Sequence, residues 1–351
     1  MNRHEQALKI LAAGTVIPAT PLALDENRCF DEKRQRLLTR YYLEAGAGGI
    51  ATAVHSTQFE IRDPKVNLFE TVLKTVSDEI DKYEKETGKT IVKIAGICGK
   101  EQQSVKEAEL IKKYGYDAGL LSPGGLSDLS ENDLVSRTKA VAEHIPVIGF
   151  YLQPSVGGRA FSYSYWQQIC EIPNVVAIKS APFNRYLTLD VVRACALSSR
   201  CDEITLYTGN DDNIIVDLLT QYKFKKDGKT VTKGFKGGLL GHWCIWTHTV
   251  AKLFEQIKDR TATPELLTLA AEITDANGVV FDAANGFAGC IPGIHEILRR
   301  QGLLKGTWCI NPNEVLSPGQ SAEIDRIYEM YPHLNDDEFV KDFLKRHNAD
   351  F

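Results

Sequence analysis

Eight short apolar runs, each about one strand-and-helix length from the next, limit the folds open to this chain. They begin at Gly14 (GTVIPA), Gly49 (GIATAV), Ile91 (IVKIAG), Ala118 (AGLLS), Pro146 (PVIGFY), Val175 (VVAIK), Ile204 (ITLYTG) and Lys236 (KGGLLG). Successive starts lie 27 to 42 residues apart, and each gap holds a helix-length amphipathic segment. In the first gap Leu37, Leu38, Tyr41, Tyr42 and Ala45 recur at helical spacing, with Asp31 placed as N-cap and Gly46 as C-terminal stop. Ser104 and Glu107 offer a capping-box pattern in the third gap, with Glu101 as an earlier possible start. Runs this apolar fit strands buried on both faces of a parallel sheet. Eight strand-helix units of roughly 30 residues predict a (β/α)8 TIM barrel.

Beyond an eighth helix expected over 243–259, no strand pattern recurs. Segments 264–284, 291–301, 318–330 and 336–346 read as helices, the third with Ser317 as cap and Pro318 in its first turn. The chain therefore divides into a barrel over 1–259, with a short N-terminal segment, and an all-helical C-terminal extension over 260–351. A basic, glycine-containing insertion at 223–230 precedes the last strand and reads as a solvated surface hairpin or loop.

Composition removes whole classes of function. A net charge of -5 and a pI near 6.0 give no electrostatic reason to expect nucleic acid or an anionic membrane as partner. No apolar run approaches the ~18 residues of a membrane span. The opening Met1-Asn2-Arg3-His4-Glu5-Gln6 lacks the order of a secretory signal. The cysteines are scattered with no Cys-x-x-Cys, which argues against zinc and against a disulfide framework. The histidines show no His-x-His or His-x-x-x-His pairing, so no metal site is expected. A cytoplasmic protein with reduced thiols is the resulting expectation.

The residues able to carry chemistry fall at strand ends, where such barrels place their active sites. The sixth run ends in Lys179, and alternation puts Val175, Ala177 and Lys179 on one face. One strand earlier, Val147, Gly149 and Tyr151 take the corresponding face. A desolvated lysine loses proton affinity and can attack a carbonyl as the neutral amine, forming a Schiff base. A phenol ending the neighbouring strand, ~4.8 Å away, can relay the protons of that reaction. Taken singly, a lysine snorkelling to solvent and a tyrosine closing the barrel top account for both residues as well. Past the second strand, Ser56 and Thr57 offer adjacent hydroxyls for the carboxylate of a 2-keto acid, with His55 as a further acid or base. Gly209 and Asn210 follow the seventh strand, and Leu240 lies in the glycine-rich eighth. Loops there bind phosphate in many barrels. The adjoining Asp211-Asp212 disfavours that, so close approach of backbone to substrate is preferred.

Together these residues resemble the dihydrodipicolinate synthase / N-acetylneuraminate lyase family of class I aldolases, over about 14–240. In that family the lysine ending the sixth strand forms an imine with pyruvate or another 2-keto acid, which implies that role for Lys179 in Ala-Ile-Lys-Ser. A strand-five tyrosine in a Tyr-Asn-x-Pro motif is the family's proton relay. Tyr151-Leu152-Gln153-Pro154 keeps the tyrosine and proline and lacks the asparagine. The Gly-x-x-Gly-Glu loop that holds the keto-acid carboxylate is answered by His55-Ser56-Thr57-Gln58-Phe59-Glu60, with two hydroxyls and neither glycine. Gly209-Asn210-Asp211 is similar to the family's Gly-Asp-Asp.

Members that make dihydrodipicolinate carry a tyrosine pair after strand four, where this chain has Ser122-Pro123-Gly124-Gly125. They also carry an arginine five residues past the strand-five tyrosine, and the nearest here is Arg159, eight past Tyr151. The resemblance implies a Schiff-base lyase, aldolase or dehydratase, acting on a 2-keto acid such as pyruvate or a keto-sugar acid without metal or organic cofactor. It also implies a homodimer or homotetramer, to which the exposed-looking Trp308 and Tyr328 would contribute. Two other readings stand beside it: a phosphate- or flavin-binding barrel, and a non-catalytic relative that binds a keto acid.

Overall fold

The computed structural model describes residues 1–258 and 261–348, so the domain boundary expected at 259/260 lies outside the described residues. The eight apolar runs become strands of one parallel sheet. They are β1 (Val16–Pro18), β2 (Gly49–Thr52), β3 (Val92–Ile97), β4 (Ala118–Leu121), β5 (Val147–Tyr151), β6 (Val175–Ser180), β7 (Thr205–Thr208) and, last, β10 (Phe235–Leu240). An antiparallel pair, β8 (Tyr222–Lys226) and β9 (Lys229–Lys233), is inserted before β10. Helices alternate with the strands and, among the described residues, four more follow, giving the expected (β/α)8 barrel with C-terminal helices. The inserted pair is the surface hairpin foreseen at 223–230. Asp227 and Gly228, with φ of 50° and 77°, supply the two left-handed positions that a tight hairpin turn requires.

The chain packs as two compact units, Met1–Thr15 with Val92–Leu239, and Val16–Ile91 with 240–258 and 263–348. In the first, β3 to β7 pair in chain order and β10 pairs with β7. A helix at Arg3–Ala13, not expected from the sequence, is opened by an Asn2–Glu5 capping box. The Tyr207 hydroxyl donates to the carbonyl of Leu11 on that helix at 2.7 Å.

The pairing of β5 with β6 departs from simple alternation. Val147 stands opposite Val175, but Ile148 stands opposite Ala177, so Val176 is an extra residue on β6. A one-residue bulge reverses the facing of everything beyond it relative to the partner strand. Phe150 therefore registers with Lys179, and Tyr151 with Ser180.

In the second unit, Asp31 caps helix Glu32–Ala45 by accepting from the Arg34 N–H at 3.0 Å, and Gly46 ends it at φ 110°, as expected. The eighth helix is shorter than its expected span, at Thr247–Gln256. The extension forms helices Pro264–Val280, Cys290–Arg300, Gln320–Met330 and Asp337–Arg346. The third does not start on the expected Ser317-Pro318 pair. Ser317 donates to Asp282 at 2.5 Å instead, and Gly319 at φ 86° leads into the helix. Buried Asp336 ties the extension to helix Glu32–Ala45, accepting from the Tyr41 hydroxyl at 2.7 Å, the His248 N–H at 2.9 Å and Gln301 Nε2 at 2.8 Å. Burial raises its pKa. Trp308 and Tyr328 are half-buried rather than exposed, and Tyr328 accepts from Trp246 Nε1 at 3.4 Å.

Candidate active site

Lys179 is the fifth residue of β6, and the two faces of that strand differ. On one, Ile178 lies beside Gly149 of β5, and a side chain at Gly149 would also meet Trp166 and Ile169 of helix Tyr163–Cys170. That is the helix-covered face. Lys179 takes the other and is 8% exposed. Burial pushes its pKa from 10.5 down to about 8, and the nearby Asp211 carboxylate partly opposes the shift. The ammonium nitrogen sits 4.5 Å from the centre of the Phe150 ring, the residue that the bulge brings into register with it.

Gly209, just past β7, makes room for the lysine. A Cβ there would fall 2.5 Å from Lys179 Cε and 2.8 Å from the Ala181 Cβ. Asn210 fixes the same loop. Its side chain donates to Asp217 at 2.9 Å and to Thr188 at 3.3 Å, and accepts from the Phe183 N–H at 3.0 Å. Asp217 is fully buried and also accepts from Thr208 at 2.7 Å, from Asn213 at 3.1 Å and from Arg185. Asn210 is thus a scaffold for Gly209 and Asp211, its polar atoms already occupied.

The remaining expectations fare differently. Simple alternation sets Tyr151 beside Lys179, whereas the bulge places it on the opposite face. Its ring packs against Trp166 and Phe161, at 5.2 and 5.5 Å between centroids, and its hydroxyl accepts from the Phe161 N–H at 3.0 Å. Burial raises its pKa. Arg159 donates to the Leu129 carbonyl at 2.7 Å, which pins the 152–161 loop.

Ser56, Thr57 and Leu240 belong to the second unit. Ser56 donates to the Ala19 carbonyl at 2.5 Å and Thr57 to the Thr20 carbonyl at 2.6 Å, so both hydroxyl protons serve the backbone. The carbonyl of Leu240 accepts from the Ala19 N–H at 3.2 Å. His55 meets the Phe59 ring edge-on at 5.9 Å. Gln58 stands in the 55–60 loop, which holds no glycine. It holds a φ of 67°, and its side-chain oxygen accepts from the Ile310 N–H at 2.6 Å.

Two further residues belong to the site. Phe150 gave no local signal, because its place depends on a bulge in the partner strand. Asp217 did give one, as the lone acid inside the apolar stretch Ile214–Leu219.

A profile of the dihydrodipicolinate synthetase family matches residues 12–221, more than half of the sequence. The chain belongs to that family. A 130-residue stretch is 27% identical to 4-hydroxy-tetrahydrodipicolinate synthase of Clostridium novyi (strain NT), covering 36% of this chain and 42% of that protein. The chain thus matches less than half the length of that curated relative. In fold it is similar to the dihydrodipicolinate synthase of Acinetobacter baumannii, solved with pyruvate. The TM-score there is 0.72 at 18% identity, over 90% of this chain and 98% of the other. It is also similar in fold to N-acetylneuraminate lyase of Fusobacterium nucleatum, with a TM-score of 0.69 at 15% identity over 91% and 99% of the two chains. At these identities the solved structures speak for the barrel alone. Among the described residues, no helix is long and apolar enough to cross a membrane.

Proposed function

We propose that this chain is a Schiff-base lyase, cleaving or forming carbon–carbon or carbon–oxygen bonds of a 2-keto acid such as pyruvate or a keto-sugar acid. The observation that carries the reading is Lys179, an amine buried at a strand end with its pKa lowered to about 8. An amine of that kind keeps a usable neutral fraction at neutral pH. Its lone pair attacks the keto carbon, the carbinolamine loses water, and the resulting iminium withdraws electrons from the adjacent carbon, where the bond is made or broken. The pyruvate held by the Acinetobacter relative supports the choice of substrate class. The test is borohydride reduction with a panel of 2-keto acids, followed by peptide mapping. A stable adduct on the Lys179 peptide supports the reading. An adduct on another lysine moves the site, and none with any member of the panel favours a non-catalytic relative.

Two expected outcomes follow from the surroundings of that lysine. Tyr151 faces the helices and holds the Phe161 N–H, so it acts here by fixing the 152–161 loop. Tyr151→Phe should slow turnover by less than ~10-fold, whereas a loss of ~10²-fold or more in steady-state rate would return it to the role of proton relay. Arg159 is engaged with Leu129, and no tyrosine pair follows β4. Condensation of pyruvate with aspartate semialdehyde should therefore stay well below ~1 s⁻¹, a rate ordinary for enzymes. A coupled assay reaching that rate would contradict the assignment.

A further inference from the structure

We propose that the face of the Phe150 ring is the electrostatic partner of the reacting nitrogen, holding Lys179 and the iminium formed on it as cations. The inference rests on the imine reading above and adds a residue to it. The ring centroid lies 4.5 Å from Lys179 Nζ, inside the ~6 Å reach of a cation–π contact. Both groups are nearly enclosed, Phe150 at 6% and Lys179 at 8% exposure, where such contacts are strongest. The contact follows from the β5–β6 bulge, which sets Phe150 opposite Lys179.

The other neighbours leave a place for the ring. Tyr207 registers with Lys179 from β7, but its hydroxyl is bonded to Leu11. Asp211 is the charged group acting on Lys179. A carboxylate as the sole partner would hold the amine protonated. A ring quadrupole favours the cation more weakly, stabilising the iminium while leaving the amine able to deprotonate.

The sign of the effect is fixed. Removing the ring takes stabilisation from the charged form, so the amine should titrate at lower pH and less iminium should accumulate. Phe150→Met keeps apolar bulk and deletes the ring, whereas Phe150→Tyr keeps the ring. The full-length protein would be compared in two measurements: the pH dependence of Lys179 acylation by a trace amine reagent without substrate, and the yield of borohydride-trapped pyruvate adduct at saturation. For Phe150→Met we expect the acylation midpoint to fall by ~0.5 pH unit or more and the trapped yield to fall ~3-fold or more. Phe150→Tyr should restore both.

Midpoints that coincide for wild type, Met and Tyr variants would overturn the proposal. Equal shifts in Met and Tyr variants would also overturn it, since they mark a packing defect. If Phe150→Met does not fold, Phe150→Leu takes its place. Absence of any adduct in wild type would sink the imine reading instead, and the acylation midpoints would still decide the role of the ring.

Discussion

Lys179→Ala is expected to abolish both turnover and the borohydride-stable adduct, because no other group described at the site combines burial with an amine. The wild-type pH dependence should show why. With a pKa of about 8, roughly a tenth of the amine is neutral at pH 7, against less than about a thousandth for a lysine at 10.5. Adduct formation should therefore climb about tenfold per pH unit below 8 and level off above it. The same shift carries a stability consequence. Between pH 8 and 10.5 the unfolded chain still binds the Lys179 proton that the folded chain has released. Stability therefore rises with pH across that window, and the full penalty, about 3 kcal/mol, applies below pH 8. Lys179→Met should accordingly be inactive yet more resistant to urea at pH 7, with the gain fading toward pH 10.5. A Lys179→Met protein no more stable than wild type at pH 7 would show that burial does not burden this amine.

Gly209→Ala is expected to have the next largest effect, in rate and in stability together. The added methyl would lie 2.5 Å from Lys179 Cε and 2.8 Å from the Ala181 Cβ, closer than real side chains approach. Asn210 and Asp217 hold the loop through bonds to Thr188, Thr208, Phe183, Asn213 and Arg185, so the backbone has little freedom to retreat. The flexible end of the lysine moves, but the Ala181 Cβ does not, so part of the clash stays as strain. A displacement near 1 Å of a reacting group can reduce rate ~10²-fold, and adduct formation should fall by about that much. The melting temperature should fall as well, because moving the lysine does not relieve the contact with the Ala181 Cβ. Wild-type trapping kinetics in Gly209→Ala would mean that the amine has room elsewhere and that Gly209 does not position it.

Features that depend on near neighbours along the chain are legible in the residues alone. Strand-helix units near 30 residues long set the barrel, because each apolar run must be buried and each amphipathic segment must cover it. Asp31 and Gly46 set the ends of their helix by local capping, and Asp227-Gly228 set the hairpin turn. Lys179 at the end of a buried strand was legible as an anomaly for the same reason, since a charge in that place calls for a use.

Other features involve partners distant in sequence and emerge only on folding. The parity of Tyr151 and Phe150 depends on Val176, an extra residue in a strand some twenty-five positions later, and alternation within β5 alone cannot reveal it. Adjacent hydroxyls at Ser56 and Thr57 suit a carboxylate, but carbonyls of Ala19 and Thr20, folded against them, accept their protons. Arg159 finds its acceptor in Leu129, thirty residues earlier. The lowered pKa of Lys179 belongs to this second class as well. Desolvation is a property of everything packed around the amine, and no stretch of sequence contains it.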